Sequence, residues 1–304
     1  MPSSVSHRKI GRIIMKKDWQ AFVLLLAPLI IYLILMVFIP LVIAVLSSFG
    51  LTKIAPGMPG KFTLQGYIDF FDPEKPNIQC LWFTIKITFI ATLLSTALGY
   101  SLALFFKFRG TKLTTPISMI LRIPLFTPYL ITAFMWFTLL FPRGYIGIIF
   151  KKLLVEYFAL LDKPLPLISD PFGIGIIVCS VWMRFPVAFM IMYGLFGMVD
   201  PSLEEAGRNL GARTWTIIKR IYFPLTKYGL LSAITLNFLA LFIAFSVPFI
   251  LGASWPQFLS VFIYVNAKQK GDWLMGYTTS VIYIAISLLI SFIYTKSLGK
   301  RSVG

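Results

Sequence analysis

Acidic side chains are scarce in this chain: 11 Asp and Glu stand against 28 Lys and Arg in 304 residues. None of these acids lies inside a long apolar run. Histidine occurs once, as His7 in a basic N-terminal tail, and cysteine twice, as Cys80 and Cys179. Neither cysteine has a C-x-x-C partner or a Cys/His neighbour, so the usual zinc and thiol-redox spacings are missing. No nucleophile–base pair and no cofactor motif stand out, which leaves hydrolytic and redox catalysis without support. A phosphate-cradling G-x-x-x-x-G-K-[ST] loop is missing too. The nearest fragment is Gly110-Thr111-Lys112, and Phe105 stands where the upstream glycine belongs. A chain without that loop cannot bind ATP by that device.

What the chain has in abundance is apolar surface: 58% of its residues are hydrophobic, and 29 are Phe. Runs of about twenty apolar residues recur, each long enough to cross a hydrocarbon layer of roughly 30 Å as a helix. The expected fold is an all-α integral membrane protein, one transmembrane domain over residues 1–304. Its six transmembrane helices fall near 19–49, 81–106, 116–141, 172–198, 229–252 and 274–296. The run from Trp19 to Phe49 is too long for a signal-peptide core and has no A-x-A site after it, so it reads as a retained first span. Pro28 and Pro40 should kink it.

The net charge of +17 does not point to nucleic acid, because the basic residues sit in short segments between apolar runs. There they set orientation in the lipid bilayer. With both termini cytoplasmic, the inner segments carry 16 basic residues against four acids, and the outer ones nine against seven. That asymmetry favours cytoplasmic termini in a multi-pass protein of the plasma membrane (the inner membrane in bacteria). In the outer segment 142–171, Tyr145 to Leu161 looks amphipathic and is expected to lie along the membrane surface.

Between spans four and five runs a charged stretch, "EEAGRNLGARTWTIIKRIYFP", from Glu204 to Pro224. Asp200 followed by Pro201 is an N-cap with proline at the first helical position. Ser202 and Glu205 offer a capping box as the alternative. Gly211 is placed to end the helix in the left-handed conformation. Leu203, Ala206, Gly207 and Leu210 share one face by their spacing, with Glu204, Arg208 and Asn209 at its rim. A second amphipathic helix should follow, with Trp215, Ile218 and Tyr222 on one side, and Pro224 should break it before span five.

This stretch resembles the EAA loop of permease subunits of binding-protein-dependent ABC importers, EAA-x3-G-x9-I-x-L-P. The match is Glu205-Ala206-Gly207, then Gly211, Ile221, Phe223 and Pro224, with every spacing kept. Gly207 stands in place of the second alanine and Phe223 in place of the leucine, so the first stays small and the second stays apolar. The resemblance implies that the loop is a cytoplasmic coupling helix seated on an ATPase. Leu203, Glu204, Glu205, Ala206, Gly207, Arg208, Leu210 and Gly211 then become ATPase-coupling residues. It implies as partners two ABC ATPase subunits that hold ATP and Mg, a second homologous permease (a heterodimer rather than a homodimer) and an extracytoplasmic solute-binding protein. This chain itself would be non-catalytic and bind no cofactor or metal. The first span resembles those of both sugar permeases and polyamine, phosphonate and iron permeases, whereas the run from Phe245 to Ile284 is closer to the second group.

Three ionisable residues fall inside the expected spans: Lys86, Arg122 and Arg184. Lys86 and Arg122 lie near span ends and can snorkel. Arg184 lies in mid-span, at a cost of about 2.5–3.5 kcal/mol, and marks a translocation path or pairs with freed backbone carbonyls. Asn237 and Trp136 are further path candidates. Two other classes compete: a structural subunit of a membrane enzyme complex, and an ATP-independent carrier or channel.

Overall fold

A computed structural model describes residues 23, 25–110, 114–152, 166–253 and 255–299. The basic tail with Trp19, Lys112, most of the expected surface segment beyond Lys152, and the C-terminal Lys300 and Arg301 lie outside the described residues. Among the described residues thirteen helices follow in order. They are α1 (Leu25–Ser48), α2 (Gln65–Phe71), α3 (Asn77–Phe108), α4 (Thr114–Ile120), α5 (Ile123–Phe126), α6 (Tyr129–Leu140) and α7 (Tyr145–Lys151). They continue with α8 (Ile174–Met198), α9 (Pro201–Asn209), α10 (Thr214–Phe242), α11 (Ser246–Leu251), α12 (Leu259–Tyr264) and α13 (Trp273–Gly299). Among the described residues six helical stretches are long and apolar enough to cross a bilayer, as expected.

The most extensive packing joins α3 to α8. Ala91, Ser95, Gly99 and Ala103 recur every four residues along α3, and all are buried. Such a small-residue stripe lets two helices approach closely where lipid provides no hydrophobic drive for association. Contact is tightest at Gly99: a Cβ there would lie 2.6 Å from the Phe185 carbonyl oxygen and the Phe189 nitrogen. Helix α10 packs against both partners, so α3, α8 and α10 form the centre of the bundle. Helix α1 lies at the periphery, touching α13, and most of its apolar side chains are exposed. Cys80 and Cys179 are both buried and unpaired.

Two expected spans differ from those observed. The third, expected as one helix over 116–141, is interrupted: an apolar helix Pro116–Phe126 ends, and the stretch long enough to cross is Tyr129–Ile149. Thr127 precedes Pro128 and is extended (ψ 125°), because the proline ring disfavours helical geometry in the residue before it. The start of the expected surface segment forms α7, which follows α6 after a non-helical break at 141–144. The fifth, expected over 229–252, begins at Thr214 and ends at Phe242, and Ser246–Leu251 forms a separate short helix.

Pro224 does not break the chain before span five. One wide turn, Ile218–Tyr222, is π-helical, and the Phe223 N–H bonds the Ile218 carbonyl five residues back. Pro224 then falls in the first turn of the resumed α-helix, where its missing donor is tolerated. The inserted residue also shifts the buried face. Ile217 and Tyr222, five apart, are buried, whereas Trp215 is 71% exposed. The expected face of Trp215, Ile218 and Tyr222 assumed an unbroken 3.6-residue period.

Candidate functional site

Helix α9 is short and closed at both ends by its own sequence. Asp200 caps it, its Oδ1 accepting from the Ser202 N–H at 2.9 Å, with Pro201 in the first turn. That bond holds the Asp200 carboxyl below its ordinary pKa. At the far end Gly211 adopts φ +77°. The Ala212 N–H bonds the Gly207 carbonyl at 3.0 Å, and the Gly211 N–H bonds the Arg208 carbonyl at 2.9 Å. This paired reversal is the Schellman arrangement, which a left-handed glycine permits without Cβ strain.

The helix does not present the face expected from spacing alone. Gly207 turns inward: a Cβ there would lie 3.5 Å from Ile221 Cδ1 and 3.6 Å from Ile217 Cγ1. Glu204, three residues earlier, turns inward with it rather than standing at the rim. Its Oε2 accepts from the Tyr222 hydroxyl at 2.9 Å, and its Oε1 accepts from Arg208 Nη2 at 2.8 Å and Nε at 3.1 Å. Burial opposes ionisation of Glu204, but these hydrogen bonds outweigh it and hold the carboxyl below its ordinary value. Leu203, Glu205, Ala206 and Leu210 remain on the exposed side, Leu210 at 89%.

Tyr222 ties that site to the rest of the bundle. Its ring is fully buried, edge-on to Phe108 of α3 at 5.2 Å and to Phe196 of α8 at 5.5 Å. Lys107 places its ammonium 5.8 Å from the ring centroid. One side chain thus joins α9, through Glu204, to the ends of three central helices. Spacing alone gave Tyr222 only a place on an amphipathic face and gave Lys107 no role. A tyrosine next to an inserted helical residue carries no local signal of this kind.

The mid-bundle residues fall into two groups. Arg184 of α8 donates from Nε to Asn237 Oδ1 at 3.1 Å and from Nη2 to the Leu236 carbonyl at 3.3 Å. Asn237 of α10 has no exposed surface, and its Nδ2 lies 3.4 Å from Ser95 Oγ, Thr96 Oγ1 and the Arg184 carbonyl. Asn237 thus backs Arg184 instead of standing beside it as a separate contact. Trp136 is set apart on α6, where its ring meets Trp182 edge-on at 6.1 Å. Its buried Nε1 has no acceptor among the described residues. Lys86 is exposed on α3, and Arg122 is half-buried at the start of α5.

Six apolar stretches long enough to cross a bilayer, with a capped polar helix between the fourth and the fifth, define a multi-pass helical membrane protein. The chain belongs to the family of inner membrane components of binding-protein-dependent transport systems, whose family pattern matches residues 95–300. It is 28% identical over 273 residues to the spermidine/putrescine transport system permease protein PotB of Salmonella typhi, covering 89% of this chain and 92% of that one. It is 26% identical over 286 residues to the inner membrane ABC transporter permease protein YcjO of Escherichia coli, covering 92% and 95%. Among solved structures, a chain of a bacterial ABC transporter importing the acidic polysaccharide alginate superposes with a TM-score of 0.77 at 17% identity. That superposition covers 97% of this chain and 99% of the other. The protein is therefore a multi-pass inner membrane permease subunit of a binding-protein-dependent ABC importer.

Proposed function

We propose that α9 is the cytoplasmic coupling helix through which a separate ATPase drives this permease by alternating access. The observation that carries the reading is the division of α9 into two faces. Glu204 and Gly207 clip it to the inner ends of α3, α8 and α10, while Leu203, Ala206 and Leu210 stay uncovered. A helix fixed on one side and bare on the other suits a joint that passes motion from a partner to the bundle. Both termini then lie on the cytoplasmic side with α9. The working complex contains two ATPase subunits, which hold ATP and Mg, a second homologous permease and an extracytoplasmic solute-binding protein. Arg184, backed by Asn237, and Trp136 are assigned to the solute path between the permeases. Rocking between inward- and outward-facing states requires a bundle whose two arrangements differ by only a few kcal/mol, biased by partner contacts.

Glu205→Lys tests the coupling role, because Glu205 is exposed on α9 and has no part in the Tyr222 contact. Reconstituted complexes carrying it should insert and assemble normally, keep hydrolysing ATP, and lose most solute uptake. Wild-type uptake per ATP in this variant would contradict the assignment.

A further inference from the structure

Among the described residues the guanidinium of Arg184 has no counter-ion. No Asp or Glu occurs in α1, α3, α6, α8, α10 or α13, so the middle of this bundle carries a positive charge balanced only by neutral groups. From behind, Arg184 is held in a fixed pose by Asn237, itself fully buried against Ser95 and Thr96. Of its five N–H donors, one goes to Asn237 and one to the Leu236 carbonyl. The remaining donors have no acceptor among the described residues. Leu236, whose carbonyl accepts from Nη2, is itself 50% exposed. Four and seven residues further on, the same helical face brings Ala240 and Ile243 to the wall of a cavity of about 310 Å³ that Tyr129 and Ser246 also line. That distance is about 6–10 Å along the helix axis. A solute group on Arg184 would thus leave the body of the molecule room in the cavity.

We propose that Arg184 is the charge-selecting contact for the transported solute, and that this solute carries an oxyanion (a carboxylate or a phosphoryl group) in place of the ammonium groups of a polyamine. A pre-oriented guanidinium with free forked donors matches a planar or tetrahedral oxyanion and repels a polycation. A lipid-facing position for the same group is disfavoured by its desolvation cost. The inference rests on the permease reading above and narrows it to a chemical class.

The test uses the whole importer in nanodiscs, this chain with its partner permease, ATPase and binding protein. The solute carried by the binding protein as purified is identified by mass. Stimulated ATP hydrolysis is then titrated with spermidine, a uronic-acid trisaccharide, its neutral carboxyl-reduced counterpart, an alkylphosphonate and the identified solute. The expected result is stimulation by an oxyanionic solute and none by spermidine; the uronate and phosphonate arms separate the two sources of oxyanion. For the stimulating solute, Arg184→Gln should raise the half-saturating concentration about tenfold or more, and Arg184→Lys distinctly less. If Arg184→Gln does not assemble, Asn237→Ser, which frees the guanidinium without removing it, should raise that concentration by about threefold.

Stimulation by a polycation or a neutral sugar overturns the proposal, as does an unchanged half-saturation in an intact Arg184→Gln complex. An assembly defect in Arg184→Gln, together with unaltered half-saturation in Asn237→Ser, would mean that a carboxylate of the neighbouring permease is the true partner, and it overturns the proposal as well. A wild-type complex that its loaded binding protein fails to stimulate at all counts instead against the importer reading itself.

Discussion

Removing a single hydroxyl from Tyr222 should loosen α9 without disturbing the core. In Tyr222→Phe the ring keeps its fully buried place between Phe108 and Phe196, so packing is conserved. What is lost is one hydrogen bond of 2.9 Å to the Glu204 carboxylate. Hydrogen bonds to charged groups contribute about 1.5–3 kcal/mol. The lower end applies, because Glu204 keeps its bond to Arg208 and its side chain is 20% exposed. About 1.5 kcal/mol corresponds to roughly a tenfold change in an opening equilibrium. Hydrogen–deuterium exchange of the full complex should therefore show α9 amides exchanging about tenfold faster, with α8 unchanged, and solute moved per ATP should fall in parallel.

The same bond gives a pH signature. A carboxyl whose pKa is depressed in the folded state contributes stability above its ordinary value, near 4.5, and loses that contribution as pH falls through the depressed pKa. Protection of α9 should be flat between pH 5 and 8 by that group and drop only in more acidic solution, and Tyr222→Phe should weaken that drop. Unchanged exchange in Tyr222→Phe at neutral pH would refute the view that this contact fastens α9 to the bundle.

Gly207 within α9 and Gly211 just past its end should respond in opposite directions. At Gly207 an added methyl meets Ile221 and Ile217 at 3.5 and 3.6 Å, ordinary contact distances. Gly207→Ala should therefore keep transport and raise local stability by up to about 1 kcal/mol, read as slower amide exchange. At Gly211 space is open, but φ is +77°. Gly211→Ala should cost about 1–2 kcal/mol through left-handed strain, and Gly211→Asn should recover part of it. Equal effects at both positions would show that backbone conformation does not set the end of this helix.

Much of this was legible from residue order alone, and the limits have physical causes. Length and hydropathy placed six crossings, and Asp200-Pro201 and Gly211 marked the two ends of α9 because capping is a local interaction. The break at Thr127–Pro128 was also encoded locally, but the surrounding apolar run masked it. The π-helical turn at Ile218–Tyr222 was not legible: one inserted residue moved the buried face from Trp215 and Ile218 to Ile217 and carried the helix past Pro224. With the face shifted, the inward turn of Glu204 toward Tyr222 could not be foreseen. The pairing of Arg184 with Asn237 joins residues 53 apart, a distance over which no periodicity carries information.

The most direct measurement of the central claim is site-specific cross-linking at Leu210, whose side chain is 89% exposed at the end of α9. Cys80 and Cys179 are buried, so Leu210→Cys offers an accessible thiol in a low background. In membranes containing the assembled importer, a short thiol cross-linker should join Leu210→Cys to the ATPase subunit, with a yield that changes when ATP is bound. Labelling of Leu210→Cys by soluble maleimide alone, with no ATPase adduct in a complex that hydrolyses ATP, would contradict the account.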